Sequence, residues 1–270
     1  MRVKRFEAFS DNYIWGVEYN NNYLIVDPGD PDPIINFFQS STKAKLAGIL
    51  ITHHHHDHVG GIKKLVNPDN LNFFIFNKIK FQNSNDSLVK NLEEIPIIGP
   101  IGFEKYGVNL PVKEADNFNF GLIDFTVLEI PGHTSNHLAY LCSNNSQDDE
   151  MSIFCGDTLF AAGCGKILGG TASDLYDSIF RIANLPNNTL VYCAHEYTLA
   201  NIEFASELFP DDTDIKARKL IVKNSRRQGL ATVPTTIKEE KLTNPFLRCK
   251  NVIEFTEMRM AKDNWSLSES

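Results

Sequence analysis

The stretch LAGILITHHHHDHVGG, Leu46 to Gly61, sets four consecutive histidines, then Asp57 and His58, directly after an apolar run. The run is internal, where a purification tag is not expected, so it needs a structural reading. An apolar run of this length reads as a strand. In extended chain, residues two apart face the same side. His53 and His55 therefore face one way, and His54 and His56 the other. Asp57 and His58 need the chain to turn, and Gly60 and Gly61 permit it. The spacing lets His53 and His55 serve one metal ion and Asp57 with His58 another. His54 and His56 are expected to be non-ligands.

Other apolar runs end in residues of the same chemistry. FTVLEIPG (Phe125 to Gly132) leads to His133, MSIFCGD (Met151 to Asp157) to Asp157, and TLVYCAH (Thr189 to His195) to His195. YLIVDPGD (Tyr23 to Asp30) is a further strand that closes in a Pro-Gly turn, with Asp27 as a turn or supporting residue. SDLYDSIFRIANL (Ser173 to Leu185) reads as a helix capped by Ser173. SNNSQDDE (Ser143 to Glu150) reads as a polar loop. Mixed strands and helices point to an α/β chain of layered αββα architecture. From Glu196 onward the character is helical. EYTLANIEFASELF is amphipathic, and DDTDIKARKLIVKNSRRQG starts acidic, ends basic and closes on Gly229. Thr236 with Glu239 fits a capping box. The expected division is a catalytic domain over residues 1–195 and a smaller helical domain over 196–270.

Imidazole and carboxylate together suit zinc, iron or manganese. His53, His55, Asp57, His58, His133, Asp157 and His195 are too many donors for one ion and fit two that share a carboxylate. His137 is read as structural or as support for a ligand. A net charge of −8 argues against a broad basic face for nucleic acid. No window approaches a membrane span, and the N-terminus has no apolar core of the kind a secretory signal carries. The five cysteines are scattered and lack a CxxC spacing, which points to reduced thiols in the cytoplasm.

THHHHDH (Thr52 to His58) resembles the THxHxDH motif of the metallo-β-lactamase superfamily. That resemblance implies a four-layer αββα sandwich with a dinuclear site, but not the substrate. DNYIWG (Asp11 to Gly16), PGHTSNH (Pro131 to His137), GDTLFAAGCGK (Gly156 to Lys166), AHEYT (Ala194 to Thr198), NPFLR (Asn244 to Arg248) and RMAKD (Arg259 to Asp263) look like the glyoxalase II, or hydroxyacylglutathione hydrolase, family. This resemblance implies His53, His55 and His133 on one metal, Asp57, His58 and His195 on the other, and Asp157 as the bridge. Asp57 and Asp157 are then the catalytic carboxylates. Two divalent ions per chain are expected, zinc first, with iron or manganese as alternatives.

The resemblance further implies hydrolysis of S-D-lactoylglutathione, with glutathione contacts at Lys166, Tyr197, Arg259 and Lys262. Three cations there suit an anionic tripeptide within an acidic protein. A soluble monomer is expected, with no nucleic-acid or membrane partner. Two positions depart from the family pattern. Leu168 stands where an aromatic is usual, which removes a hydrogen bond from the glutathione pocket. Asn136 stands where glycine is usual, and Asn tolerates left-handed backbone there. The competing readings are another hydrolase of the superfamily, a glutathione-persulfide dioxygenase, or a non-catalytic metal-binding module.

Overall fold

The computed structural model describes residues 1–67, 79–82, 94–144 and 151–265. Within them the chain forms two compact units, Met1–Glu129 with Asn136–Gly156, and Ile130–Ser135 with Asp157–Ser270. This division falls earlier in the chain than the change of character at Glu196.

The first unit holds two sheets. One has the order β1 (Arg2–Ala8), β2 (Asn12–Tyr19), β3 (Asn22–Val26), β4 (Lys45–Leu50), β6 (Ile97–Pro100), β7 (Leu110–Val112). It is antiparallel through β3 and parallel from β3 to β7. The other, wholly antiparallel in this unit, runs β11 (Met151–Gly156), β10 (Leu138–Asn144), β9 (Ile123–Glu129), β8 (Asn117–Phe120), β5 (Ile79–Phe81). Parallel strands covered on both faces read as continuous apolar runs rather than alternating ones. β4 does so, with Leu46 to Leu50 all buried. One face of its sheet packs Ile25 and Ile49 against Ile34, Ile35 and Phe38 of α1 (Asp32–Ser40) and Ile62 and Leu65 of α3 (Ile62–Leu65). Each such side chain contributes about 1.5–3 kcal/mol on burial. The two sheets are tied by Tyr140 of β10, whose hydroxyl donates to the Ile51 carbonyl at 2.7 Å.

β2 and β3 join through Asn20 and Asn21, both at positive φ, as a two-residue hairpin turn requires. The short helix α2 (His56–Val59) follows β4. Of the expected polar loop, Ser143 and Asn144 complete β10, and residues 145–150 lie outside the described set.

The second unit carries the short pairs β12 (Leu159–Phe160) with β13 (Gly163–Cys164) and β14 (Leu190–Cys193) with β15 (Thr235–Thr236). Its helices are α4 (Ala172–Ala183), α5 (Thr198–Leu208), α6 (Thr213–Arg227), α7 (Ile237–Thr243) and α8 (Val252–Asn264). Two capping expectations are corrected. α4 is capped by Thr171, not Ser173, because Thr171 has Asp174 three residues on and the two close a reciprocal box. Thr236 accepts from the Glu239 amide, and no side-chain bond from Glu239 back to the Thr236 amide completes the box. Gly229 closes α6 at φ 70, as expected.

Glu240 organises this unit. It is fully buried, and its Oε1 accepts from Arg218 Nη2 and Thr235 Oγ1, both at 2.7 Å. Its Oε2 accepts from the Ala162 amide at 2.8 Å and from Asn244 Nδ2 at 2.9 Å. A Glu240→Ala change takes the 2.7 Å carboxylate from the buried Arg218 guanidinium and leaves it only Glu239 Oε1, at 3.5 Å, as an acidic partner among the described residues. It should cost roughly 3–5 kcal/mol, read as a lowered urea midpoint.

Candidate metal and substrate site

In the first unit the strand-to-helix corner after β4 positions the predicted donors. His53 is buried, and His55, in extended backbone, is the residue before α2. The alternation holds to this point, and His53 Nε2 lies 3.1 Å from His55 Nδ1. His54 turns away, with its ring against Phe103 and Tyr106 at 5.8 and 6.1 Å between centroids. His56 is exposed and packs over Gly60. The bend foreseen for Asp57 and His58 is the start of α2, and it brings His58 Nε2 to 3.5 Å from Asp57 Oδ2.

Asp27 and Asn12 hold that corner. Asp27 Oδ2 accepts from His58 Nδ1 at 3.0 Å and from Thr52 Oγ1 at 2.6 Å, while Oδ1 accepts from the Thr52 amide at 2.8 Å. A carboxylate at Nδ1 fixes the proton there and leaves the Nε2 lone pair for a ligand role. Asn12 Nδ2 donates to Asp57 Oδ2 at 2.9 Å. A Cβ on Gly29 would fall 1.8 Å from the Asp57 carbonyl oxygen, so only glycine lets the Asp27 turn lie against α2. His137 stacks on His53 at 4.6 Å, a supporting place as expected.

The second unit assembles the other donors around one oxygen. His133 Nε2 and His195 Nε2 lie 3.5 and 3.4 Å from Asp157 Oδ2. All three side chains are buried. His133 Nδ1 donates to the Lys166 carbonyl at 2.7 Å, which again assigns Nε2 as the free-electron-pair nitrogen. The loop bearing His133 is pinned by Ser178 Oγ, which donates to the Pro131 carbonyl at 2.6 Å. Gly132 holds φ 138 where a Cβ would fall 2.4 Å from the Leu175 Cα, and Gly165 leaves room for the Asp157 carbonyl, which a Cβ would meet at 1.9 Å.

These separations test the donor sets against a metal. Two ligand atoms each about 2.1 Å from a tetrahedral ion lie about 3.4 Å apart. The His133–Asp157, His195–Asp157 and His58–Asp57 spacings of 3.5, 3.4 and 3.5 Å match that edge, and they exceed the 3.0 Å of the His58–Asp27 hydrogen bond. Imidazole and carboxylate at this spacing, buried except for the partly exposed Asp57, fit a divalent cation. Cysteine takes no part. None of the five cysteines is in a disulfide, and burial pushes Cys164 up to about 11 and Cys193 up to about 12.

The four predicted substrate contacts lie in the second unit. Tyr197 stacks on His195 at 4.7 Å and 8° between planes. Lys166 is exposed. Arg259 is buried, with Nη1 donating to the Cys164 carbonyl at 3.0 Å and Nη2 to Asp263 Oδ1 at 2.9 Å. Lys262 Nζ donates to the Ala200 carbonyl at 2.9 Å and lies 3.9 Å over the Trp265 ring. The Leu168 side chain is 61% exposed, while its amide bonds the His133 carbonyl. Asn136 does not hold a positive φ, so the turn there makes no use of left-handed tolerance. Sequence reasoning missed Asn12 as a partner of Asp57, although it lies in the DNYIWG motif.

His55→Ala should abolish divalent-metal binding and His54→Ala should spare it. Asp27→Ala should weaken it by about 10–100-fold, read by competition with a chromophoric chelator.

Residues 10–195 match the family model of the metallo-β-lactamase superfamily, and residues 196–265 match that of the hydroxyacylglutathione hydrolase C-terminus. The hydroxyacylglutathione hydrolase of Nitrosomonas eutropha is 41% identical over 244 residues, 90% of this chain and 83% of that one. Among solved structures, ETHE1 from Myxococcus xanthus superposes with a TM-score of 0.62 at 23% identity, covering 100% of this chain and 93% of its own. TTHA1623, solved in a di-iron-bound form, gives 0.54 at 21% identity over 89% of this chain and 98% of its own. The structural neighbours establish the metallo-β-lactamase fold, and the C-terminal match reaches into the helices that the wider superfamily model leaves out. By that match and the Nitrosomonas identity together, this chain belongs to the hydroxyacylglutathione hydrolase family of the metallo-β-lactamase superfamily.

Proposed function

We propose that this chain hydrolyses 2-hydroxyacylglutathione thioesters, with S-D-lactoylglutathione as substrate and glutathione and D-lactate as products, the second step of methylglyoxal detoxification. The observation that carries the reading is the family-specific C-terminus over residues 196–265 joined to a complete set of seven His and Asp donors. His53, His55 and His133 would hold one divalent ion, Asp57, His58 and His195 a second, with Asp157 shared. Zinc is the first choice, and iron, present in TTHA1623, or manganese suits the same donors. When bound, such ions supply hydroxide at neutral pH and positive charge beside the thioester carbonyl.

The chain's own groups do the rest. Asp27 and the Lys166 carbonyl hold His58 and His133 in one tautomer. Asp57, steadied by Asn12, orients the attacking hydroxide. The leaving thiol has a pKa near 8.5, so it departs as thiolate without a strong general acid. Lys166, Tyr197, Arg259 and Lys262 bind glutathione, with residues 196–270 as the substrate-binding part and 1–195 as the catalytic part. A monomer in the cytoplasm completes the proposal; no helix among the described residues is long and apolar enough to cross a membrane.

Metal analysis and a thioester assay on one sample test the reading. About two ions per chain and cleavage of lactoylglutathione are expected. Fewer than one ion after reconstitution, or oxygen uptake with glutathione persulfide in place of hydrolysis, would overturn it. Asp157→Ala should lose metal and activity together.

Lys262 sets an expected pH limb. Burial and then the neighbouring Arg259 push its ammonium down to about 8. It is a cation below that pH and neutral above it, and kcat/KM reports the free enzyme. So kcat/KM for lactoylglutathione should fall as pH rises through about 8, and Lys262→Met should lack that fall.

A further inference from the structure

Six described residues other than glycine hold a positive φ: Phe9, Asn20, Asn21, Asp27, Ala115 and Ala162. Asn and Asp visit that region readily, and alanine is small. Phe9, at φ 51, is the bulky one, and it is 56% exposed, so full burial does not offset its backbone strain. Strain of this kind persists where the surrounding structure enforces it, and it gathers at functional sites.

The position of Phe9 in the first unit says which site. β1 and β2 pair down to Ala8 opposite Asn12, so Phe9, Ser10 and Asp11 form the hairpin tip. The foot of that tip is Asn12, whose amide grips Asp57 Oδ2 at 2.9 Å. The same oxygen lies 3.5 Å from His58 Nε2. The hairpin is thus bonded to the donors beside which a reacting carbonyl must sit, and it carries an exposed apolar ring three residues before Asn12. In a thioester, the acyl substituent is one bond from the carbonyl under attack.

We propose that Phe9 is a specificity-determining residue that offers an apolar face to the acyl group of the substrate. This rests on the thioester-hydrolase reading above. The ring acts on the acyl half of the molecule, whereas the cations act on the glutathione half.

The experiment compares S-acetylglutathione with S-mandeloylglutathione, whose acyl group carries a phenyl ring, on the metal-loaded full chain. Phe9→Gly removes the ring and accepts the positive φ, so its thermal midpoint should equal or exceed that of the parent. Its kcat/KM for the mandeloyl ester should fall on the order of tenfold relative to the acetyl ester, and Phe9→Leu should recover part of the loss. A merely structural role would lower stability, or slow both esters alike. An unchanged mandeloyl-to-acetyl ratio in Phe9→Gly overturns the proposal while leaving the hydrolase reading intact. A parent chain that cleaves neither ester overturns the hydrolase reading and this proposal with it.

Discussion

A single buried carboxylate, Asp27, fixes the corner on which the first half of the site depends. Burying an ion costs several kcal/mol unless hydrogen bonds replace its water. Asp27, 4% exposed, receives three donors from two neighbours: the Thr52 amide, the Thr52 hydroxyl and His58 Nδ1. Its own amide donates to the Leu50 carbonyl at 2.9 Å. The residue just past β3 thus ties the end of β4 to α2. The same contacts that recover the desolvation cost set the height and orientation of the histidine run. The parallel pairing of β3 with β4 makes this possible, because it brings both strand ends to one edge.

The second unit solves a like problem with another buried carboxylate. Glu240 meets the guanidinium of Arg218, so the ion is paired, and its second oxygen holds the Ala162 amide. Asn244 adds bonds to the Gly163 and Phe160 carbonyls at 2.9 and 3.3 Å. The NPFLR motif is therefore, in physical terms, a clamp on the β12–β13 hairpin. Its Asn244 side chain also accepts from the Phe246 amide, and Pro245 starts the 3-10 turn that follows. Arg259 grips the same hairpin at Cys164. The hairpin leads directly into Gly165 and Lys166, whose backbones seat Asp157 and His133. Residues far along the chain thus act on the donors through backbone placement rather than by touching them.

Much of this was legible because the governing rules are local. The period of two separated His53 and His55 from His54 and His56, and strand ends marked His133, Asp157 and His195. Local rules also explain one miss. Thr171 and Ser173 flank the first residue of α4, but only Thr171 has an acid at the third position after it, and that spacing decides the cap. The partners of Asp57 and His58 were less legible. Asn12 and Asp27 lie 45 and 31 residues from them, and nothing in their own neighbourhoods announces the meeting. Such pairings follow from strand order, which short motifs do not encode. Asn136 shows the converse error, an inference from a residue's tolerance to a backbone shape the turn does not adopt.

The two anchored histidines are alike in tautomer and unlike in partner. His58 gives its Nδ1 proton to a carboxylate, and His133 gives its own to a peptide carbonyl. A carboxylate partner raises the basicity of the opposite nitrogen more than a neutral carbonyl does, so Nε2 of His58 is the stronger donor. His58 lies beside Asp57, and His133 beside Asp157, where His195 also faces the same oxygen. The donors thus differ in electronic character before any ion arrives, and the difference is built into the polypeptide.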